Sequence, residues 1–230
     1  MRGLILSTPP LDVFEQMAFD ELLCESPAEN FTLRFYDWKG NAATFGYAQA
    51  YQKVSREISA VPATRRPTGG GIVFHDTDVT FSCVLPSQDS AKPAGLYRKL
   101  HGALAEGLES LGLECRLCAP CGAGAYALSR GPTAARCFQN PVASDLTDSA
   151  GTKILGGALR RFSGAALYQG SLRFEGARQK IPEIKLAAVK SLSAEWPLAW
   201  ETASADGDFL ARARKLAAGK YRSAEWIERF

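Results

Sequence analysis

The densest chemistry in this chain of 230 residues lies in Arg65–Asp76, RRPTGGGIVFHD, which gathers two arginines, three adjacent glycines and one of the only two histidines. Glycine loses more backbone entropy on folding than any other residue, so a run of three marks a place that side chains would obstruct. The usual need is close approach of a ligand to the backbone. The freed N–H groups of such a loop could cradle a carboxylate, a thioester carbonyl or a phosphate. Flanking guanidiniums would add charge-assisted hydrogen bonds, which points to a negatively charged or strongly polar ligand.

Two further residues carry reactive groups. Cys137, in RCFQNP, follows Arg136 and precedes Lys153 by sixteen residues within a stretch rich in glycine, alanine and serine. A neighbouring cation lowers a thiol's pKa and makes thiolate available, although an isolated loop cysteine is also commonly inert. Lys153 opens TKILGGALRR, in which strict alternation would place Lys153, Leu155, Gly157, Leu159 and Arg161 on one face. Such a lysine either lies along a ligand or ends a strand in solvent. Gly156 and Gly157 inside the strand again suggest close backbone approach.

Several familiar machines are absent from the sequence: no G-x-x-x-x-G-K-[ST], no G-x-G-x-x-G between strand and helix, no H-E-x-x-H and no G-x-S-x-G. His101, between Leu100 and Gly102, reads as a solvated or partly buried helix residue. Cys115, Cys118 and Cys121 form a C-x-x-C-x-x-C run, but structural zinc needs four ligands and no fourth cysteine or histidine is near in sequence. Cys115 also falls in phase with Leu113 and Leu117 as an inward strand residue. Core and loop thiols are therefore expected, and no metal.

The elements that must hold these residues follow from periodicity. LDVFEQMAFDELLCES, behind two prolines, predicts a helix over about 11–25. FTLRFYDW alternates as a strand and NAATFGYAQ continues extended. The glycine loop is expected to lead into a hairpin, Ile72–His75 returning as a strand with Val79, Phe81, Cys83 and Leu85 on one side. Leu96, Leu100, Leu104, Leu108 and Leu111 make an amphipathic helix ending at Gly112. LECRLCAP is a short strand, 119–151 reads as loop, and 152–174 as a second hairpin turning at Ser163-Gly164. The last forty residues read as two helices separated by ASADGD. Mixed elements without regular βαβ alternation predict an α+β layer fold with a mostly antiparallel mixed sheet flanked by helices, one domain over 1–230.

A net charge of +3 is too small to argue for nucleic acid, whose binding rests on neutralising several phosphates. No stretch approaches the roughly 18 apolar residues of a membrane span, and MRGLILSTPPLD is not a signal peptide. A cytoplasmic protein with reduced cysteines is expected.

Taken together these pieces resemble the lipoate–protein ligase and octanoyltransferase branch of the biotin/lipoate protein ligase superfamily. RRPTGGGIVFHD is similar to that family's R-R-x-[ST]-G-G-G-x-V-x-H-D at every fixed position, and TKILGGALRR with ALYQGSLRF is similar to its second block. MAFDELL, LRFYDW with TFGYAQ, and KYRSAEW are weaker echoes, so that the likeness covers nearly the whole chain. It implies a class II synthetase or biotin ligase-like fold holding an acyl group under the glycine loop. It also implies attachment of octanoate or lipoate to a lysine of a lipoyl domain, such as a 2-oxoacid dehydrogenase E2 or a glycine cleavage H-type protein.

Within that family HDTDVTFS lacks the G-N of the ATP-dependent ligases, and the chain leaves no room for their accessory domain. CFQNP fits the C-F-x-x-P of the cysteine-dependent transferases, while PVASDL and GGALRR depart from the transferase pattern, notably at Gly157 and Leu159. The resemblance thus implies Cys137 as nucleophile, with Lys153 removing protons or polarising the acyl carbonyl. A lysine desolvated beside Arg160 or Arg161 could serve as base. Arg65, Arg66, Thr68, Gly69, Gly70, Gly71, His75, Gly156, Gly157 and Ala158 are expected to bind substrate. No cofactor is needed when a thioester donor, for instance on acyl carrier protein, brings the activation; ATP and magnesium enter only for a ligase acting through lipoyl-AMP. A ligase and a non-catalytic acyl- or lipoyl-domain-binding module are the alternatives. A biotin ligase is disfavoured, since no G-R-G-R-like segment is present.

Overall fold

A computed structural model describes residues 1–26, 28–86, 93–119 and 136–230. Two sheets of unequal size organise it. The larger has eight strands in the order β11-β1-β2-β6-β10-β9-β8-β7, and the smaller has three in the order β4-β3-β5. Their spans are β1 Arg2–Ser7, β2 Phe31–Phe35, β3 Ala42–Phe45, β4 Ala63–Arg65, β5 Val73–His75, β6 Val79–Pro86, β7 Arg116–Leu117, β8 Leu146–Thr147, β9 Lys153–Arg161, β10 Ala165–Leu172 and β11 Ala199–Ser204. The three strands at one edge, β11, β1 and β2, run parallel and the rest of the large sheet is antiparallel. The helices are α1 Val13–Leu22, α2 Tyr51–Ile58, α3 Pro93–Glu109, α4 Ile181–Glu195, α5 Gly207–Leu216 and α6 Ala224–Ile227. The architecture is α+β, as the sequence predicts.

Alternation along β6 explains how the large sheet serves two masters. Val79, Phe81, Cys83 and Leu85 enter the main core with Leu96, Leu100, Leu104 and Leu108 of α3 and Ile184, Ala188 and Leu192 of α4. Thr80 and Ser82, one residue out of phase, bond to carboxylates on the opposite face. That second face is covered by α1, which begins with a capping box: Asp12 accepts from the backbone of Phe14 and Glu15, and Glu15 reaches back to the Asp12 N–H. The helix is shorter than the 11–25 expected, since the cap places its start after Asp12.

Two expectations fail, and one helix appears that none foresaw. The glycine loop does not lead into a hairpin: β5 pairs with β3 in the small sheet, while β6 lies between β2 and β10 in the large one. Asp78, buried at the corner between them, bonds His75, Thr80 and Ser171 and so ties the two sheets. Polar side chains satisfied across a corner leave no periodic signal. The C-terminal region contains, besides helices, the strand β11, paired in parallel with β1. Helix α2, with Val54 and Ile58 buried, was not anticipated either.

The second hairpin forms as expected, β9 and β10 pairing from Arg161↔Ala166 to Leu155↔Leu172. At its start, however, the alternation breaks. Leu146 of β8 faces Leu155 and Thr147 faces Lys153, so Ile154 is an extra residue, a β-bulge. Ile154 and Leu155 consequently both join the main core. Lys153 is thereby turned away from the face it was expected to share with Leu155.

Candidate active site

A cavity lies between the two sheets. Thr44, Val73 and His75 line it from the small sheet, Thr80, Gly156–Ala158 and Gln169–Ser171 from the large one, and Met17, Tyr36, Arg66 and Cys137 complete its wall. Much of this lining is carbon, which suits an acyl chain better than a sugar or a nucleotide base.

Cys137 reaches the cavity because its backbone N–H bonds the carbonyl of Ile72, just past the glycine loop, at 2.9 Å. The bulge at Ile154 brings Lys153 to meet it: Lys153 Nζ lies 3.5 Å from Cys137 Sγ. The lysine crosses Gly156, where a Cβ would fall 2.2 Å from its Cε. Only glycine leaves room for that path. Lys153 is 6% exposed, and its ammonium pairs with Asp145 Oδ2 at 2.7 Å. Burial alone would lower the Lys153 pKa, but the Cys137 sulfur and the Asp145 carboxylate together outweigh it and the direction is upward. The expectation of a lysine whose pKa is lowered beside Arg160 or Arg161, leaving it free to act as base, is therefore overturned. Lys153 rests as an ammonium, and Arg160 instead bonds the Pro67 carbonyl. Arg136, the cation beside Cys137 in sequence, has its guanidinium engaged by Glu57 at 2.8 Å.

The arginines of the glycine motif are structural in large part. Arg65 does not line the cavity; its guanidinium donates to the carbonyls of Gly46, Tyr47, Gln49, Trp226 and Ile227. Arg66 does line it, but donates to the Gly69 and Gly71 carbonyls and to Thr44 Oγ1, and so fixes the loop's shape. Gly70 takes φ +91°, the left-handed conformation that favours glycine. Thr68 donates to Gln169 Oε1 at 2.7 Å, anchoring the loop to β10. Gln169 in turn donates to Asp20, which forms a fully buried ion pair with Arg34. Gly69, Gly70, Gly71 and Thr68 thus frame the cavity as a held loop beside it, while His75, Gly156, Gly157 and Ala158 border it directly. His75 stacks on Trp38 with centroids 4.2 Å apart, and its Nδ1 lies 2.9 Å from Asp78 Oδ2.

His101 is fully buried, beyond the solvated or partly buried role expected of it. Its Nε2 lies 2.6 Å from the Tyr168 hydroxyl, and burial, with help from the Lys153 charge, lowers its pKa to about 3. Cys115 packs in the core as read. No cluster suited to a metal occurs among the described residues, and Cys121 lies outside them. Sequence reasoning missed Asp145, Tyr97, Gly46 and Gln169. Asp145, in PVASDL, Gln169, in ALYQGSLRF, and Gly46, in TFGYAQ, each belonged to a stretch already singled out, whereas Tyr97 did not.

Two sheets with a cavity between them and a glycine loop held beside it form a fold shared with solved lipoate-protein ligases. Lipoate-protein ligase A bound with ATP superposes with a TM-score of 0.77 at 22% identity over 99% of each chain. The ligase of Thermoplasma acidophilum from a study of a bi-partite lipoate protein ligase and its E2 lipoyl domain gives 0.74 at 22%, over 99% of this chain and 96% of that one. Residues 12–197 match the lipoyl protein ligase A/B catalytic domain, and the chain belongs to that family. Among curated relatives, octanoyltransferase LipM of Geobacillus kaustophilus is 34% identical over 68% of this chain and 59% of its own length. LipM of an Exiguobacterium species is 32% identical over 73% of this chain and 64% of its own. The matched region thus spans about three-fifths of the length of these relatives. Among the described residues no helix is long and apolar enough to cross a membrane.

Proposed function

We propose that this chain is a cytoplasmic acyltransferase that moves an octanoyl or lipoyl group from a thioester donor, through Cys137, to a lysine of a lipoyl domain. The observation that carries the reading is the Lys153 ammonium 3.5 Å from the Cys137 sulfur at the wall of a mostly apolar cavity. An ammonium held against a sulfur favours its thiolate, the nucleophilic form. The thiolate attacks the donor carbonyl, a C–S bond to the donor breaks as one to Cys137 forms, and the departing thiolate takes a proton from solvent. The acceptor's neutral amine then attacks the Cys137 thioester. Its C–N bond forms, the C–S bond breaks, the surplus amine proton leaves to solvent and Cys137 departs as thiolate beside Lys153. The donor bond already carries the activation, so the scheme needs no ATP. The octanoyltransferase name of the LipM relatives supports this reading, as does the pairing of a neighbouring ligase with an E2 lipoyl domain.

The test is to mix the protein with octanoyl-acyl carrier protein and an apo lipoyl domain without ATP and to weigh the lipoyl domain. Octanoylation is the expected result. Modification that requires free acid and ATP would instead place the chain with the ligases.

A further inference from the structure

Lys153 would lose its sulfur partner whenever Cys137 carries an acyl group, because a thioester is neutral. A buried ammonium without a partner is costly and gives up its proton. Asp145 occupies the position that prevents this. It is fully buried, its Oδ2 takes Lys153 Nζ at 2.7 Å and the Val142 N–H at 2.8 Å, and its Oδ1 accepts from the Tyr97 hydroxyl at 2.6 Å. Tyr97 also lies 3.0 Å from the N–H of Gly157, which donates to it, so the carboxylate is tied to the strand that bears Lys153.

Resting on the reading of Cys137 as nucleophile, we propose that Asp145 is a positioning residue. It keeps Lys153 charged and aimed at the sulfur during the half of the cycle in which that sulfur is acylated. Lys153 is then ready to receive the thiolate that departs when the acceptor amine attacks. The account makes an asymmetric demand. In the donor half-reaction Lys153 has the Cys137 thiolate as partner with or without Asp145. In the acceptor half-reaction Asp145 is its remaining charged partner among the described residues, with the Phe138 ring 5.6 Å from the ammonium.

The other ionisable groups around Lys153 are Tyr97 and His101 of α3, Tyr168 of β10, and Arg66, which faces Cys137. Burial first, then nearby negative charge, raises both tyrosines, His101 stays neutral with its pKa near 3, and Arg66 stays charged. None of them changes charge between about pH 5 and 9.

The test uses Asp145→Asn, which keeps the shape and can still accept from the Val142 N–H while Tyr97 turns its proton to the Gly157 carbonyl, 3.1 Å away. Transfer of octanoyl from the carrier-protein donor to Cys137 should change less than about fivefold, while transfer from Cys137 to the lipoyl domain should slow by at least about thirtyfold, so that the octanoyl-enzyme accumulates in the mass spectrum. Equal slowing of both steps, or of neither, overturns the proposal. A second measurement is independent of turnover and of whether Asp145→Asn folds. In Cys137→Ala protein labelled with 13Cε lysine, with Lys153 assigned by Lys153→Arg, Lys153 should titrate no lower than the midpoint of the exposed lysines in the same spectrum, with Asp145 alone as partner. A midpoint below that value overturns the role of Asp145 even if Cys137 proves to be the nucleophile. An absent Cys137 adduct in the wild type would instead overturn the function on which the proposal rests.

Discussion

A methyl group built on Gly46 would lie 1.9 Å from the carbonyl oxygen of Gly70. The two glycines sit twenty-four residues apart, one after β3 and one in the glycine loop, and the loop backbone can pack this closely against the chain after β3 only because Gly46 carries no side chain. At Gly70 a Cβ would also fall 2.7 Å from Arg66 Nη2 in a left-handed backbone. Gly69 differs, with nothing within 4 Å of its Cβ position.

The three glycines should therefore separate by stability. Gly46→Ala and Gly70→Ala should each cost about 2 kcal/mol or more in urea unfolding, and Gly69→Ala less than about 1. If Gly69→Ala reduces acyl transfer without reducing stability, the ligand approaches the loop at that residue. Equal destabilisation at Gly46 and Gly69 would contradict the close packing described.

Arg65→Lys should behave as a structural lesion. The guanidinium serves five backbone carbonyls, two of them on Trp226 and Ile227 of the C-terminal region, and a lysine cannot reach that set. A loss of about 3 kcal/mol of stability is expected, with the donor KM of the folded fraction unchanged within about twofold. A raised KM at full stability would return Arg65 to ligand binding, the role its place in the motif suggests.

The sequence made a good deal of this legible, and the misses share a cause. RRPTGGGIVFHD located the cavity's loop, and the second hairpin was readable because its alternation and its turn agree over Lys153–Leu172. The face of Lys153 was not, since one bulged residue at Ile154 reverses every inference from period two. Arg65 and Arg66 were read as ligand contacts because charge beside glycine suggests an anion, whereas their partners are carbonyls distant in sequence. His75 and the strand after it looked like one hairpin because a short turn does not reveal a switch of sheet. Asp145 joins Lys153 through tertiary packing alone.

His101 should govern the acid side of the stability profile. An ordinary histidine takes up its proton near pH 6.5 in the unfolded chain, while the buried ring does so only near pH 3. The unfolded state therefore binds more protons as the pH falls through that window, and stability declines with it. Between pH 7 and pH 5 the loss should be about 2 kcal/mol. In His101→Gln, which keeps a hydrogen-bonding group near Tyr168, urea midpoints at the two pH values should lie closer together. An unchanged difference would show that another group is responsible.

Cations near Cys137 are distinguished by alkylation. Arg136 is engaged by Glu57, and Lys153 is in contact with the sulfur. The second-order rate of Cys137 alkylation by iodoacetamide at pH 7 should fall at least about tenfold in Lys153→Gln and change less than about twofold in Arg136→Gln. The opposite ranking would move the activating charge to Arg136.

The central claim is that Cys137 carries the acyl group, and intact-protein mass spectrometry reads it directly. Protein mixed with an octanoyl thioester donor and no acceptor should gain one octanoyl group, about 126 Da, on Cys137, in a bond that neutral hydroxylamine cleaves as it does thioesters. Adding apo lipoyl domain should remove the mass from the protein and place it on the domain. Cys137→Ser should show no such adduct. A wild-type protein that stays unmodified with competent donor, or a Cys137→Ser variant that transfers at the wild-type rate, would contradict the account and leave Cys137 an ordinary thiol beside the cavity.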